Sequence, residues 1–440
     1  MYARISAFLV ACALVFSGLA SAQERFGGLT GRVTDQQGQA IPGVTVVTTN
    51  TQSGEVRTFV TDANGQFTAP DLVPGRYNVR FELTGFSKVE RNDISVVLGR
   101  TFALDTQMRV GELTETVQVT AEASPLVDSR STLIAHNVTA EEFDRMPKGR
   151  SFQSIAFSAP SVSQGEIEGG IQVNGASGAE NAFTVDGIVT NSLVNGASRQ
   201  NTVFEYLQEV QVKTSGISAE YGGALGGVIS AVTKSGGNRW SGEGFLLYQN
   251  KDLVTKEHFA KRRGDPKPTY KRFQPGVAIG GPIVKDKLQV FGSYEENRQD
   301  RANRVFLGTT PFPASLDFLR EFEGTFTSPF REKLFFGKLT SQPRPGHTAE
   351  LSYSLRNETD IRSFGQQTSF DAAENVRNRV DSILGRWAIP RRQALNEATI
   401  TYQRSNWNPE PLDDSEPGIN YQGVLRIGGR DTTQDFIQTR

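Results

Sequence analysis

Apolar and polar residues alternate with a period of two through most of the chain, and the alternation changes character around Phe204–Gly237. Upstream, the β-prone runs are short and closely punctuated: Leu29–Thr34, Val44–Thr49, Val56–Thr61, Gln66–Ala69, Arg76–Leu83, Ile94–Leu98 and Thr101–Arg109. Turn dipeptides separate them at Gln37-Gly38, Pro42-Gly43, Asn64-Gly65 and Pro74-Gly75, and this regular spacing predicts a small β-sandwich over residues 27–109. Residues 126–237 mix elements. Thr139-Ala140-Glu141-Glu142 reads as a capping box opening a helix that stops at Pro147. Phe152, Ile155 and Ala156 share one face of a second helix ended by Pro160. Strands are predicted over Gly170–Gly175, Phe183–Ile188, Glu209–Lys213 and Val228–Lys234, with a turn at Asp186-Gly187.

From Trp240 the strands lengthen. Trp240, Gly242, Gly244, Leu246 and Tyr248 fall on one face with an aromatic at each end, and Glu243 and Gln249 on the other. Ala349, Leu351, Tyr353 and Leu355 repeat the pattern, as do Ala398, Ile400 and Tyr402. Further strands are expected at about 272–283, 287–298, 333–342, 348–358, 377–389 and 396–406. Short turns at Val284–Asp286, Pro343–Gly346 and Pro390–Ala394 alternate with long polar loops at Lys251–Lys271, Gln299–Glu332 and Thr359–Val376. Aromatic-ended alternating strands with loops grown on one side are what a lipid-embedded barrel requires; a soluble sandwich is the competing pattern.

Composition narrows the class. The net charge is −1 and the charges are interspersed, so there is no basic footprint for nucleic acid. No apolar run after residue 22 approaches the roughly twenty residues of a membrane helix, so a membrane-embedded chain has to be a barrel. Residues 1–22 read as a signal peptide: Arg4, an apolar Ile5–Phe16, and Ala20-Ser21-Ala22 before a mature Gln23. Cys12, the single cysteine, lies inside it, so the mature chain has no thiol chemistry; acylation at Cys12 is the alternative processing route. His136, His258 and His347 are scattered without ligand spacing, so neither a metal nor a cofactor is expected.

The glycine-rich stretch at Gly222, Gly223, Gly226 and Gly227 lacks the Gly-Lys pair of a phosphate loop, since Thr233-Lys234-Ser235 follows instead. Its glycines suit close backbone approach or positive φ. SAEYGGALGGVISAVTKSGGN resembles the end of the plug domain of TonB-dependent outer-membrane receptors, and the Asp186-Gly187 turn resembles a plug motif. The stretch GRVTDQQGQAIPGVTVVTTN and its continuation to Phe86 resemble the carboxypeptidase regulatory-like domain, a transthyretin-like fold with no peptidase activity implied. GGPIVKDKLQVFGSYEENR is similar to the second and third barrel strands of Oar-like receptors. Glu115-Thr116-Val117-Gln118-Val119-Thr120 is similar to a TonB box, although the same residues also read as the last strand of the sandwich running into a linker.

The resemblance implies a mainly β chain. Its parts are a transthyretin-like β-sandwich (27–109), a linker with the TonB-box-like segment (110–125), a small α+β plug (126–237), and the first part of an antiparallel transmembrane β-barrel (238–440), left as an open sheet. Seven complete strands are fewer than a plugged lumen of about 22 needs. The residues from Gly423 to Arg440 read as an outer loop before its returning strand, so the expectation is the front part of a longer chain. The implied function is energised uptake of a bulky ligand across the bacterial outer membrane, with a TonB-type inner-membrane complex as partner, outer-membrane lipid around the barrel, and the sandwich in the periplasm. The implied plug residues are Asp186, Gly187, Tyr221, Gly222, Gly226 and Gly227, the coupling residues are 115–120, and no catalytic residue is expected. A non-transporting surface receptor or adhesin and a soluble secreted binding protein are the alternatives. The ligand is not encoded in any legible motif.

Overall fold

The computed structural model describes residues 26–111, 116–120, 133–143, 145–146, 149, 151–165, 170–192, 196, 198, 204–218, 221–256, 258–264, 267–308, 314–344, 347–390, 395–429 and 436–439. The signal-peptide reading, Glu115 and most of the 110–125 linker lie outside these residues.

The first unit is a sandwich of β1 (Gly27–Thr34), β2 (Thr45–Asn50), β3 (Val56–Val60), β4 (Gln66–Leu72), β5 (Gly75–Glu82), β6 (Lys88–Val96), β7 (Thr101–Ala103), β8 (Thr106–Gln107) and β9 (Thr116–Thr120). One sheet runs β4-β1-β7, with β8 also on β1; the other runs β3-β2-β5-β6-β9. Alternate residues of both sheets meet in a core around Leu29, Val46, Phe67, Phe81 and Met108, where Phe67 and Phe81 pack edge to face at 5.6 Å. The strand expected over 101–109 is broken in two. The Asp105 carboxylate accepts the Arg32 N–H at 2.8 Å where a ladder carbonyl would sit, which interrupts the pairing with β1.

The second unit holds β10 (Ile134–Thr139), a helical turn (Ala140–Phe143), a 3₁₀ segment (Phe152–Ser158), and β11 (Val162–Gln164) paired with β12 (Ile171–Val173). It continues through β13 (Ala182–Val185), β14 (Ile188–Val189), β15 (Leu207–Ser215) and β16 (Val228–Thr233). Its main sheet runs β10-β15-β16-β13-β14. The box at Thr139 differs from expectation: Glu142 accepts both the Thr139 N–H at 2.8 Å and its hydroxyl at 3.1 Å. The hydroxyl thus donates to Glu142 rather than capping the backbone, and the described helix is only a turn long. Phe152, Ile155 and Ala156 are buried as expected, but in 3₁₀ geometry. The Ser154 and Ser158 hydroxyls each donate to the carbonyl three residues back, which favours the tighter winding.

The wall comprises β17 (Ser241–Asn250), β18 (Tyr270–Val284), β19 (Leu288–Val305), β20 (Gly324–Ser341), β21 (Thr348–Arg362), β22 (Glu374–Pro390) and β23 (Leu395–Pro411). A loop hairpin of β24 (Ile419–Tyr421) and β25 (Leu425–Ile427) follows, then β26 (Phe436–Thr439). Each wall strand pairs antiparallel with the next in an open eight-stranded sheet, β17-β18-β19-β20-β21-β22-β23-β26. Two expectations are corrected here. Strands of 15 to 18 residues exceed the roughly ten needed to cross a bilayer, so they continue as ribbons where long loops were expected. The 423–440 segment is also not all loop, because β26 already pairs with β23 from Trp407↔Phe436 to Arg404↔Thr439.

Burial on the wall is inverted relative to a soluble sheet. On β21 the buried positions are Thr348, Glu350, Ser352, Ser354, Glu358 and Asp360, while Leu351 is 53% exposed. Ile383, Trp387, Ile400 and Tyr402 are likewise exposed on their strands. Only a protein with hydrocarbon outside and a polar interior gains from this arrangement. Beyond the long-loop end, Val305, Leu319, Phe364, Ala373, Val424 and Leu425 build a separate small core that ties the outer segments together.

Candidate functional site

The plug rests against the inward face of the wall, and the contact is both apolar and ionic. Tyr206 stacks on Phe336 of β20 at 4.8 Å, and Phe291 of β19 lies 6.2 Å from Phe336. The core of the plug is therefore continuous with the wall. The chain then passes directly into β17 along a tight path. A Cβ on Gly236 would lie 2.3 Å from the Val290 carbonyl oxygen, so only glycine permits this approach.

Asp186 sits at the centre of the ionic part. With φ of 49° at Asp186 and 85° at Gly187, the pair forms the turn that joins β13 to β14 in register Val185↔Ile188. The turn reading is correct but incomplete. The Asp186 carboxylate accepts the Thr233 N–H at 2.9 Å and the Thr233 hydroxyl at 2.5 Å, and faces Lys338 Nζ of β20 at 3.6 Å. Its backbone carbonyl accepts from Arg386 of β22 at 2.8 Å. Arg386 pairs with Glu350 at 3.0 Å and Glu397 at 3.2 Å, and Lys338 approaches Glu350 at 4.0 Å and donates to Thr233 Oγ1 at 3.2 Å. Asp186, Lys338, Glu350 and Arg386 are all at least nine-tenths buried, so every charge needs its partner.

The other plug residues serve local architecture. Tyr221 is buried and its hydroxyl accepts from Lys213 at 2.7 Å. A Cβ on Gly227 would lie 2.8 Å from a Val173 methyl, and one on Gly226 2.6 Å from Asn181 Oδ1. Nothing lies within 4 Å of such an atom at Gly222, so close approach does not account for that glycine.

A second seam joins the sandwich to the plug. The Leu98 N–H donates to both Glu209 carboxylate oxygens at 3.1 Å, and its carbonyl accepts from Asn137 at 2.9 Å and Gln211 at 2.7 Å. Arg100 donates to the Ala135 carbonyl at 2.7 Å, and Arg76 pairs with Glu141 at 2.9 Å. Burial pushes the Glu209 carboxyl up to about 7, against the opposing pull of the Asn137 and Leu98 hydrogen bonds. The sandwich also meets the short-turn end of the wall: Gln52 O accepts from Asn238 N at 2.9 Å, and Ser53 O accepts from Gln289 at 3.4 Å.

The TonB-box-like segment falls in the sandwich sheet. Residues 116–120 form β9, parallel to β6 from Lys88↔Thr116 to Asn92↔Thr120, at the end of the sandwich sheet. Sequence reasoning missed Lys338, Glu350, Arg386, Glu209, Asn137 and Leu98. Period-two parity marks the three wall residues as inward-facing, but nothing local says that Asp186 meets them. Among the described residues no cluster of metal-ligating side chains occurs.

Residues 28–109 match the carboxypeptidase regulatory-like domain, residues 128–228 the TonB-dependent receptor plug domain, and residues 232–325 the outer membrane beta barrel domain. The TonB-dependent transporter Oar of Myxococcus xanthus is 33% identical over 307 residues, 66% of this chain and 28% of the relative. The outer membrane transporter YddB of Escherichia coli shares the fold with a TM-score of 0.52 at 16% identity, over 67% of this chain and 43% of that one. The siderophore receptor PirA of Acinetobacter baumannii aligns with a TM-score of 0.47 at 18% identity, over 69% and 43%. The chain thus spans less than a third of its curated relative and under half of these structures. The barrel and plug matches place it in the bacterial outer membrane. With a regulatory-like domain, a plug and a barrel wall in that order, the chain carries the domain set of the TonB-dependent outer-membrane receptors and is similar to them.

Proposed function

We propose that the protein takes part in energised uptake of a bulky ligand across the outer membrane, with a TonB-type complex pulling on residues 115–120. The observation that carries this reading is the plug, seated against the wall by buried ion pairs to polar residues beside the apolar contact at Tyr206 and Phe336. Charges that satisfy one another can re-pair with water once the seat is disturbed, whereas a dry apolar seat re-forms only by collapse. The role of β9 supports the coupling reading. Among the described residues it ends the sheet, with β6 on one edge and no strand on the other, the edge at which a partner would add a strand. On this reading a pull on β9 loads the sandwich, and the sandwich hands the load to the plug through Leu98 and Glu209.

A single cysteine at Ser230, which is 4% exposed on β16, tests this reading. A membrane-permeant maleimide should label it in energised cells and much less after a protonophore. Val117→Pro, which removes a strand N–H, should bring labelling in energised cells down to the protonophore level. Labelling that ignores both the protonophore and Val117→Pro would favour a receptor or adhesin that does not transport.

A further inference from the structure

The lipid side of the wall carries a second feature, which the plug and the coupling segment do not explain. Strand pairing sets Tyr248, Phe273, Arg298, Arg331, Thr359 and Arg377 side by side in one row across β17–β22. The row beneath it holds Glu296, Lys333, Asn357 and Arg379 in mutual register. Both rows share the face that presents exposed Tyr294, Phe335, Leu351 and Ile383 closer to the short-turn end. They are therefore on the outside of the wall, directly above its apolar band and on the long-loop side.

Charged side chains on the oil-facing surface are tolerated only where hydrocarbon gives way to headgroups. A shallow groove of about 860 Å³ lies here, lined by Lys271, Arg298, Arg331 and Lys333, by Glu296 and Asp300, and by Tyr248 and Phe273. Arg298 is held by Glu296 at 2.8 Å and Arg331 by Asp300 at 2.7 Å. Lys271 and Lys333 close no ion pair among the described residues, so the groove has two cations in excess. One strand further on, Arg379, Asp381 and Arg404 line a smaller groove of about 340 Å³.

We propose that this groove docks the phosphate-bearing headgroup of an outer-leaflet lipid. Lys271 and Lys333 meet the phosphate, the paired arginines fix the geometry of the rim, and Tyr248 and Phe273, level with Arg298 and Arg331, flank the headgroup. Mobile lysines suit a point-charge contact with phosphate, while the arginines are already engaged by carboxylates. The position matches this ligand: its charge lies level with the two rows and its chains lie along the apolar band below. A soluble anion would use only the charged half of the site.

Native mass spectrometry of the purified outer-membrane protein in neutral detergent tests this with three probes: diphosphorylated lipid A, its fully dephosphorylated form, and inorganic phosphate. The phosphorylated lipid should bind, and the dephosphorylated form should bind at least about thirtyfold more weakly, as expected for losing the contacts of two cations near a membrane surface. K271Q/K333Q should lose a similar factor for the phosphorylated lipid. T359D, which adds an acid to the groove without removing a cation, should also weaken binding and covers the case in which the double variant fails to assemble. Equal binding of the two lipids, or unchanged binding in both variants, would overturn the assignment. Competition by inorganic phosphate as effective as by the lipid would overturn it too, since the site would then be one for free anions.

Discussion

At the scale of single residues, the seat of the plug depends on charges that cannot be left alone. Lys338→Met removes the cation that faces buried Asp186 and leaves that carboxylate only its hydrogen bonds from Thr233, and breaking a buried pair from one side costs about 3–5 kcal/mol. Plug protection against protease in the purified receptor should fall accordingly, and Thr184→Val, which removes a plug-internal bond to Ser230, should be milder. Glu209 gives the other seam a pH dependence. Its folded value of about 7 lies above the ordinary 4.5, so its contribution is complete below pH 4.5 and is lost as pH rises through 7. The proton-linked span is about 3 kcal/mol. Docking of the sandwich on the plug should therefore loosen from pH 5 to 8, and Glu209→Gln should flatten that response; an identical pH profile in the variant would refute it. Asp186 and its turn were legible from the Asp-Gly dipeptide. The wall partners of Asp186, Lys338 and Arg386, were not, because they come from strands more than a hundred residues away, and Glu209 reads locally as one polar residue in a Val-rich strand.

At the scale of elements, alternation was the most legible property, because a period of two survives whatever the strand packs against. What it misjudged was length. Above the bilayer both faces of a strand are polar, so β19, β20 and β22 look like loop in sequence while their ladders continue unbroken. The parity itself can be tested. Ile383 faces lipid and Ser382 faces inward; Ile383→Arg should destabilise the folded wall by about 2–4 kcal/mol if it lies near mid-bilayer. Heat-dependent gel mobility would report the loss, and Ser382→Ala should have little effect. Gly227→Val should disturb the plug sheet through Val173 and the Lys213 carbonyl, measurable as lost protection of β15 and β16 in amide exchange.

At the scale of the whole molecule, three units share two polar seams, and the sandwich touches both the plug and the short-turn end of the wall. Its presence was legible from turn spacing, but its position was not, because the seam's bonds at Leu98 use the main-chain N–H and carbonyl that every such residue carries. If the sandwich has to move with the pulled strand, tethering it should stop transport. A Cβ on Gly237 lies 3.2 Å from Gln52 Cγ, so Gln52→Cys with Gly237→Cys places two thiols within bonding reach. The oxidised protein should lose the energised labelling at position 230 and regain it with reductant; unimpaired labelling in the oxidised form would show that the sandwich is a bystander.

The passage at Gly236 gives any such movement a direction. Where the plug runs into β17, the backbone lies against Val290 with no room for even a methyl group, so that end is pinned. The opposite end begins with β10, which among the described residues shares a strand ladder with β15 alone, is otherwise held by the Arg100 and Asn137 bonds of the sandwich seam, and is nearest in the chain to residues 116–120. Traction arriving from that side would peel β10 first and swing the remainder about its fixed hinge. The opening would then be a crescent beside β10 rather than a hole left by a stopper drawn out whole.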